Sequence, residues 1–288
     1  MYNTDIPPEH LTRSFIMIML SAAAICFIVS ELTRNYSQVD KLWSIMPMIY
    51  SIVTLVSCPA PRLWIMTILV VIWGFRLSYN FYRKGGYNII PWKGEEDYRW
   101  KIMRENSKLK GRIRFGLFNF FFISLYQNII IILFSAPLLI ASKYRNSGLN
   151  LTDILVATLI LLFIIIEAMA DNQQYRFQKL KRITDRPEGV YSESLKNGFL
   201  SEGLWRFVRH PNFISEQAIW ISFYFFGVSA SGKWFNWTLA GPVLLILLFL
   251  GSTEFTERIS SSKYPYYSSY KKNVPKFFPG IFRTGKIR

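Results

Sequence analysis

Gly203-Leu204-Trp205-Arg206-Phe207-Val208-Arg209-His210-Pro211-Asn212-Phe213-Ile214-Ser215-Glu216 runs directly into an apolar segment, Phe213 to Ala230. A turn with two arginines and a histidine therefore stands at the mouth of a helix suited to a bilayer. Such polarity is unfavourable beside lipid unless the groups meet an internal partner or a charged ligand. Pro211 suits the first position of a helix, and the free backbone donors there face an anion together with Asn212. Arg206 and Arg209 add positive charge to that anion site.

Outward from this stretch, 51% of the 288 residues are hydrophobic, and several windows exceed the roughly 18 apolar residues that cross a bilayer. Hydropathy predicts seven spans, at about 11–32, 42–58, 62–82, 116–141, 151–171, 213–230 and 237–256, the second short and interrupted by Pro47. Ser21-Ala22-Ala23-Ala24 is like a signal cleavage site, but Asp5 and Glu9 precede it and apolar sequence continues from Cys26 to Val29. The first span is accordingly read as a retained helix. The expectation is an all-α, polytopic membrane protein folded as one domain over 1–288.

Lys and Arg total 34 against 18 Asp and Glu, a net charge of +16. With seven spans, the loops 33–41, 83–115 and 172–212 share a face with the tail from 257, and that face holds 28 of the 34. The other face holds Arg13, Arg62, Lys143, Arg145 and Lys233, and Arg76 lies inside the third span. The asymmetry places the N-terminus outside and the C-terminus in the cytoplasm. Attraction to anionic membrane lipid accounts for the excess charge. No soluble domain presents a basic groove, so nucleic acid is not an expected partner. Cys26 and Cys58 are too few for a metal cage and lie in or at the end of spans, so neither metal nor disulfide is expected. Neither G-x-G-x-x-G nor a P-loop occurs, which excludes a soluble dinucleotide fold. A bacterial inner membrane and an endoplasmic reticulum fit equally, and the oligomeric state stays open.

The loop 83–115 contains Gly94-Glu95-Glu96-Asp97-Tyr98-Arg99-Trp100, a turn leading into a short amphipathic helix that reaches Leu109. The loop 172–212 opens as a basic extension of span five, Gln173 to Arg182, and breaks at Arg186-Pro187-Glu188-Gly189. The tail carries Lys263-Tyr264-Pro265-Tyr266-Tyr267-Ser268-Ser269-Tyr270, then Pro275, Pro279 and Gly280, and reads as an ordered cap. Trp92, Trp100, Trp205 and Trp234 fit an interfacial aromatic belt. Ionisable groups gather at the inner ends of the later spans. Glu167 and Asp171 share one helix face, Glu216 lies one turn inside span six, and Glu254, Glu257 and Arg258 close span seven. Glu254 and Arg258 have the spacing of a helix ion pair. The cluster as a whole reads either as a ligand site or as an internal ion-pair network.

These residues resemble the C-terminal half of the membrane steroid 5α-reductase and sterol reductase superfamily, and the whole chain resembles its DUF1295 branch. The resemblance is carried by Gly203-Leu204-Trp205, Arg209-His210-Pro211-Asn212 and Glu216, then Glu257, Lys263-Tyr264-Pro265, Tyr270 and Pro279. In the first half it rests on Gln38-Val39-Asp40-Lys41-Leu42-Trp43-Ser44-Ile45-Met46-Pro47, Trp73-Gly74-Phe75-Arg76-Leu77 and Glu96-Asp97-Tyr98-Arg99-Trp100. The resemblance implies a seven-helix bundle holding NADPH in its cytoplasmic half, about 165–282, with an apolar steroid-like or lipid-like substrate entering from the bilayer. It also implies cofactor contacts from Asp171, Asn212, Glu216 and Glu257, with Arg209 and His210 in the same turn, while the tail tyrosines, Tyr264 and Tyr270 among them, read either as interfacial anchors or as closing over a cofactor. Two departures stand out: Phe213 replaces a tyrosine common in the family, and Ser215 a glycine. The His-Pro turn is also similar to that of the isoprenylcysteine carboxyl methyltransferases, which bind S-adenosylmethionine. Their adjacent glutamates contrast with Glu254 and Glu257, which two residues separate.

The expected chemistry is hydride transfer from NADPH to an electron-poor alkene, the protein orienting the cofactor and neutralising its phosphates. Arg176, Lys179, Arg206 and Arg209 are the candidates for the phosphates. Asp40 and Tyr79, at the inner ends of spans two and three, are the candidates for the acid at the substrate carbonyl. An S-adenosylmethionine-dependent methyltransferase and a non-enzymatic lipid-binding protein are the competing expectations.

Overall fold

The computed structural model describes residues 8–90, 92–183 and 189–278. Asp5, the Arg186-Pro187-Glu188 part of the expected loop break, and Pro279 and Gly280 lie outside the described residues. Every regular element among the described residues is helical. In order these are α1 (Pro8–Thr33), α2 (Gln38–Trp43), α3 (Ile45–Ser57), α4 (Pro61–Arg83), α5 (Tyr98–Glu105), α6 (Arg112–Phe118), a π-helical segment (Asn119–Tyr126), α7 (Gln127–Ser135) and α8 (Pro137–Lys143). They are followed by α9 (Leu151–Lys181), α10 (Ser192–Asn197), α11 (Pro211–Ser231), α12 (Ala240–Lys263) and α13 (Tyr267–Asn273), with short 3₁₀ turns at Gly203–Arg206 and Trp237–Leu239.

Six helical runs are long and apolar enough to cross a membrane: Glu9–Thr33, Gln38–Ser57, Pro61–Arg83, Arg112–Lys143, Leu151–Lys181 and Trp237–Lys263. The protein is a polytopic membrane protein. The expected sixth span coincides with α11, a helix of 21 residues. It is less apolar than the other six because Asn212, Glu216 and Gln217 occupy its first two turns. Proline starts α4, α8 and α11, where its missing N–H leaves no helical bond unmade. The first amphipathic helix is shorter than expected, since α5 ends at Glu105 and turns carry the chain on to Leu109.

The chain divides into two compact units, 1–160 with 220–245 and 161–219 with 246–288. The first unit is centred on packed aromatics: Trp73 and Trp220 meet edge to face with ring centroids 4.8 Å apart, and Phe134 lies 4.1 Å from Trp220. Gly241 lets α12 approach α7 so closely that a Cβ there would sit 2.4 Å from the Leu133 carbonyl oxygen. Arg62 and Asp153 form a buried two-armed ion pair, 2.9 Å on each arm, and Arg62 also donates to Ser147 and to the Gly148 carbonyl. Satisfying the guanidinium so fully is what makes burying its charge tolerable. The π-helical segment places Asn119 against Glu31, with Nδ2 donating to Oε1 at 3.0 Å.

The second unit joins α9 from 161 on, α11 as far as 219 and α12 from 246 on to the turn at 203–210 and the tail. Its aromatic nucleus is Phe199, Tyr264, Tyr267 and Tyr270 with Val274. The tail is thus a packed cap built around the short helix α13.

Candidate functional site

Within the second unit the quoted turn is anchored from three directions. Gly203 takes a positive φ of 65°, and a Cβ there would lie 2.6 Å from Gln173 Oε1. That same oxygen accepts the Leu204 N–H at 2.9 Å, so the glycine and Gln173 form one joint. Trp205 donates its indole to the Ala170 carbonyl at 3.3 Å, and the Tyr270 hydroxyl donates to the Trp205 carbonyl. The Arg209 N–H bonds the Pro275 carbonyl at 2.9 Å. The belt assignment of Trp100 is corrected: in the first unit it is buried and donates to Asp40, and an indole so placed has no need of the lipid interface.

Arg209, His210 and Glu257 form one buried group. Arg209 Nε donates to Glu257 Oε1 at 2.7 Å and Nη2 to Oε2 at 3.3 Å, while Nη1 meets the carbonyls of Lys271 and Val274. His210 Nε2 lies 2.9 Å from Glu257 Oε1, and Lys271 Nζ 3.3 Å from Oε2. Burial pushes the His210 imidazole below its ordinary value, against the opposing pull of Glu257, so the ring is neutral at pH 7. Arg209 directs its donors inward to hold the tail on α12. Glu254 pairs with Lys276 at 3.4 Å, and Arg258 turns to the Glu254 backbone carbonyl, so the expected side-chain pair is exchanged for one to the tail.

A second group lies where α9 faces the start of α11. Asn212 Nδ2 donates to Asp171 Oδ1 at 3.3 Å. One turn deeper on their own helices come Glu167 and Glu216, both buried. Two buried amide oxygens, Asn212 Oδ1 and Gln174 Oε1, have no hydrogen-bond partner among the described residues. Ser215 bonds back to the Pro211 carbonyl at 2.8 Å, and Phe213 packs edge to face on Phe249 at 4.7 Å. The two departures from the family pattern are therefore absorbed within the helix and its packing. Arg176 and Arg206 are exposed and make no ion pair among the described residues, and Lys179 is exposed as well. Tyr264 receives Lys181 Nζ at 2.9 Å, and that ammonium also donates to the Gly198 carbonyl at 2.5 Å.

In the first unit, Asp40 Oδ2 accepts the Trp100 indole at 3.0 Å. The two early motifs dock on each other: Tyr36 N–H bonds Glu96, Asp97 N–H bonds Ser37 Oγ, and Lys41 Nζ reaches the Lys93 carbonyl at 2.7 Å. Tyr79 is 63% exposed, with the Arg83 guanidinium 5.6 Å above its ring. It continues the exposed row Trp64, Ile68, Ile72 and Phe75 of α4. Sequence reading passed over Gln173, Gln174, Lys181 and Lys271. The adjacent glutamines, two and three residues beyond Asp171, were the one visible signal.

A family model described as a protein of unknown function (DUF1295) matches residues 26–274. The chain belongs to the DUF1295 family. That family is of the steroid 5α-reductase-like type. An uncharacterized protein of Schizosaccharomyces pombe, C594.04c, is 37% identical over 292 residues, covering 97% of this chain and 81% of that protein. No solved structure matches.

Proposed function

We propose that this DUF1295 protein is an NADPH-dependent membrane reductase acting on an activated C=C bond of an apolar, steroid-like or lipid-like substrate. The observation that carries the reading is the acceptor-rich group of Asp171, Asn212, Glu167 and Glu216, in which the Asn212 amide oxygen, like that of Gln174 further along α9, is buried with no hydrogen-bond partner among the described residues. Buried acceptors call for donors. A nicotinamide nucleoside supplies them, through ribose hydroxyls and a carboxamide NH2. Exposed Arg206 in the turn and Arg176 on α9, with Lys179 one turn further along that helix, are the candidates for the phosphate groups.

When bound, NADPH supplies the hydride. Asp171 and Asn212 orient the nucleoside, and Glu216 gives depth to the same acceptor face. Arg209, His210 and Glu257 act by holding the tail on α12, which keeps Tyr270 against the 203–206 turn. Asp40, oriented by the Trp100 indole, and Tyr79 are the candidates for the acid at the substrate carbonyl. The family membership supports the reductase class, since its type is defined by steroid 5α-reductases.

The test is ligand-induced stabilisation of the detergent-purified protein. A ligand bound only by the folded state, at a hundredfold its Kd, adds about 2.7 kcal/mol. NADPH is expected to raise the melting temperature and S-adenosylmethionine to leave it unchanged. Stabilisation by S-adenosylmethionine alone transfers the site to methyl transfer, and stabilisation by neither removes the enzymatic reading. Consumption of NADPH with extracted membrane lipids and steroid enones, followed by absorbance, then identifies the acceptor.

A further inference from the structure

The segment between α4 and α6 carries features that the nucleotide site does not use. Between Lys101 and Arg114 there are six basic residues and one acidic. Arg104 is paired with Glu96 at 2.6 Å, and Arg99 with Asp97 at 2.8 Å. Lys101, Lys108, Lys110, Arg112 and Arg114 are exposed and make no ion pair among the described residues. Bulky apolar side chains stand among them and earlier in the same segment. Ile113 is 79% exposed, and Ile89, in a hydrogen-bonded turn, is completely so. The turn is fixed by Asn88 Oδ1 accepting the Ile90 N–H at 3.0 Å and by Lys93 N–H bonding the Ile90 carbonyl at 2.9 Å. The Asn88 side chain thus closes the short turn that carries Ile89. Trp92, half exposed, follows it.

The segment is also held in place. Asn35 Nδ2 donates to the Gly94 carbonyl at 2.9 Å, and the docking of Tyr36, Ser37 and Asp40 on Glu96, Asp97 and Trp100 fixes the start of α5. Both of its ends lie at one membrane surface, because one span ends at Arg83 and the next opens at Arg112. Unpaired cations on the same segment as exposed isoleucine and tryptophan side chains make a surface complementary to an acidic lipid interface, the cations on the head groups and the apolar side chains below them. Orienting the chain during insertion requires only the charges. It requires neither an isoleucine displayed at a turn nor a hydrogen-bond network that holds the start of α5.

We infer that residues 88–90 and 92–114 form a docking surface for acidic phospholipid head groups, with Ile89 and Trp92 inserted and Lys101, Lys108, Lys110, Arg112 and Arg114 on the phosphates. This stands apart from the nucleotide site and holds whichever ligand that site takes.

The test uses the full chain carrying Ile89→Cys, labelled with an environment-sensitive dye; Cys26 and Cys58 are buried, which directs the label to the introduced thiol. The protein is reconstituted into phosphatidylcholine bilayers with and without phosphatidylglycerol. The expected result is a shift of emission to shorter wavelength and stronger quenching by brominated lipid in the acidic bilayer, both reduced by salt. Lys108→Gln with Lys110→Gln is expected to remove most of the difference between the two bilayers. Identical emission in both bilayers at low salt overturns the proposal, and this comparison needs no charge variant and so survives a failure of that variant to insert. Reproduction of the shift by inorganic phosphate on the detergent-solubilised protein also overturns it, since the surface would then be a site for soluble anions.

Discussion

Nε of Arg209 lies 2.7 Å from Oε1 of Glu257, 48 residues further along the chain, and the two side chains are 7% and 0% exposed. Breaking a buried pair by removing one partner strands the other charge, at roughly 3–5 kcal/mol. Glu257→Ala is therefore expected to lower the melting temperature sharply and to open the tail around Lys271 and Val274 to protease. Replacing both partners, Arg209→Met with Glu257→Met, is expected to recover part of that loss. A Glu257→Ala protein within about 1 kcal/mol of the parent in denaturant unfolding, against that range, would falsify the anchoring role.

Arg176 and Arg206 make the opposite case. Both are exposed and make no ion pair among the described residues, so surface substitutions there fall within about 0.5 kcal/mol in stability. If they face nucleotide phosphates, each loss removes a charge-assisted bond of about 1.5–3 kcal/mol, which is roughly tenfold or more in affinity. Arg176→Gln and Arg206→Gln are expected to weaken NADPH binding by calorimetry with the melting temperature of the free protein unchanged. Unchanged affinity in both variants removes them from the site.

The spans were legible because length and hydropathy are local properties. Each predicted span falls within a helix or a continuous helical run, save that the second passes one residue beyond the run's end at Ser57, and Pro211 opens α11 as its fixed φ suggests. Partners were not legible. Arg209 has the same sequence signature whether it faces a phosphate or Glu257, because the carboxylate lies in another helix and the carbonyls of Lys271 and Val274 belong to the tail. Trp100 carries an amphipathic indole that suits an interface or an internal aspartate equally, and only the fold brings Asp40 to it. The π-helical segment at Asn119–Tyr126 left no mark on the apolar pattern, since its shift of hydrogen bonding answers to tertiary packing.

Asn212 donates to Asp171 over 3.3 Å while its own oxygen is buried without a donor. A long hydrogen bond and an unsatisfied acceptor together contribute little to folding. Asn212→Ala is expected to change unfolding by no more than about 1 kcal/mol. The same substitution is expected to abolish the thermal shift given by NADPH, because a donor from the ligand loses its acceptor. A protein that loses stability and still binds nucleotide would make Asn212 a structural residue.

Gly203 is held at φ 65° with Gln173 against the space a side chain would fill. An alanine there meets both a disfavoured backbone region and a contact of 2.6 Å. The strain is about 1–3 kcal/mol, and it displaces the acceptor of the Leu204 N–H. Gly203→Ala is expected to destabilise the protein more than Gly148→Ala, whose Cβ meets open space at a negative φ. Thermal unfolding of the two variants side by side decides it.

His210 makes the pH dependence directional. Its folded pKa lies below the ordinary 6.5 because burial disfavours the imidazolium more than Glu257 favours it. In the unfolded chain the ring takes a proton near that ordinary value, so below pH 6.5 the unfolded state binds more protons than the folded one. Stability from this group is complete above 6.5, declines as the pH falls through that value, and levels off once the folded ring is itself protonated. Melting temperatures are expected to fall between pH 7.5 and pH 5.5, a window of about one unit on either side of that ordinary value, and to fall less in His210→Gln. The substituted amide still donates to Glu257 but does not titrate. An equal slope in both proteins assigns the acid sensitivity to other groups and leaves His210 with a hydrogen-bonding role alone.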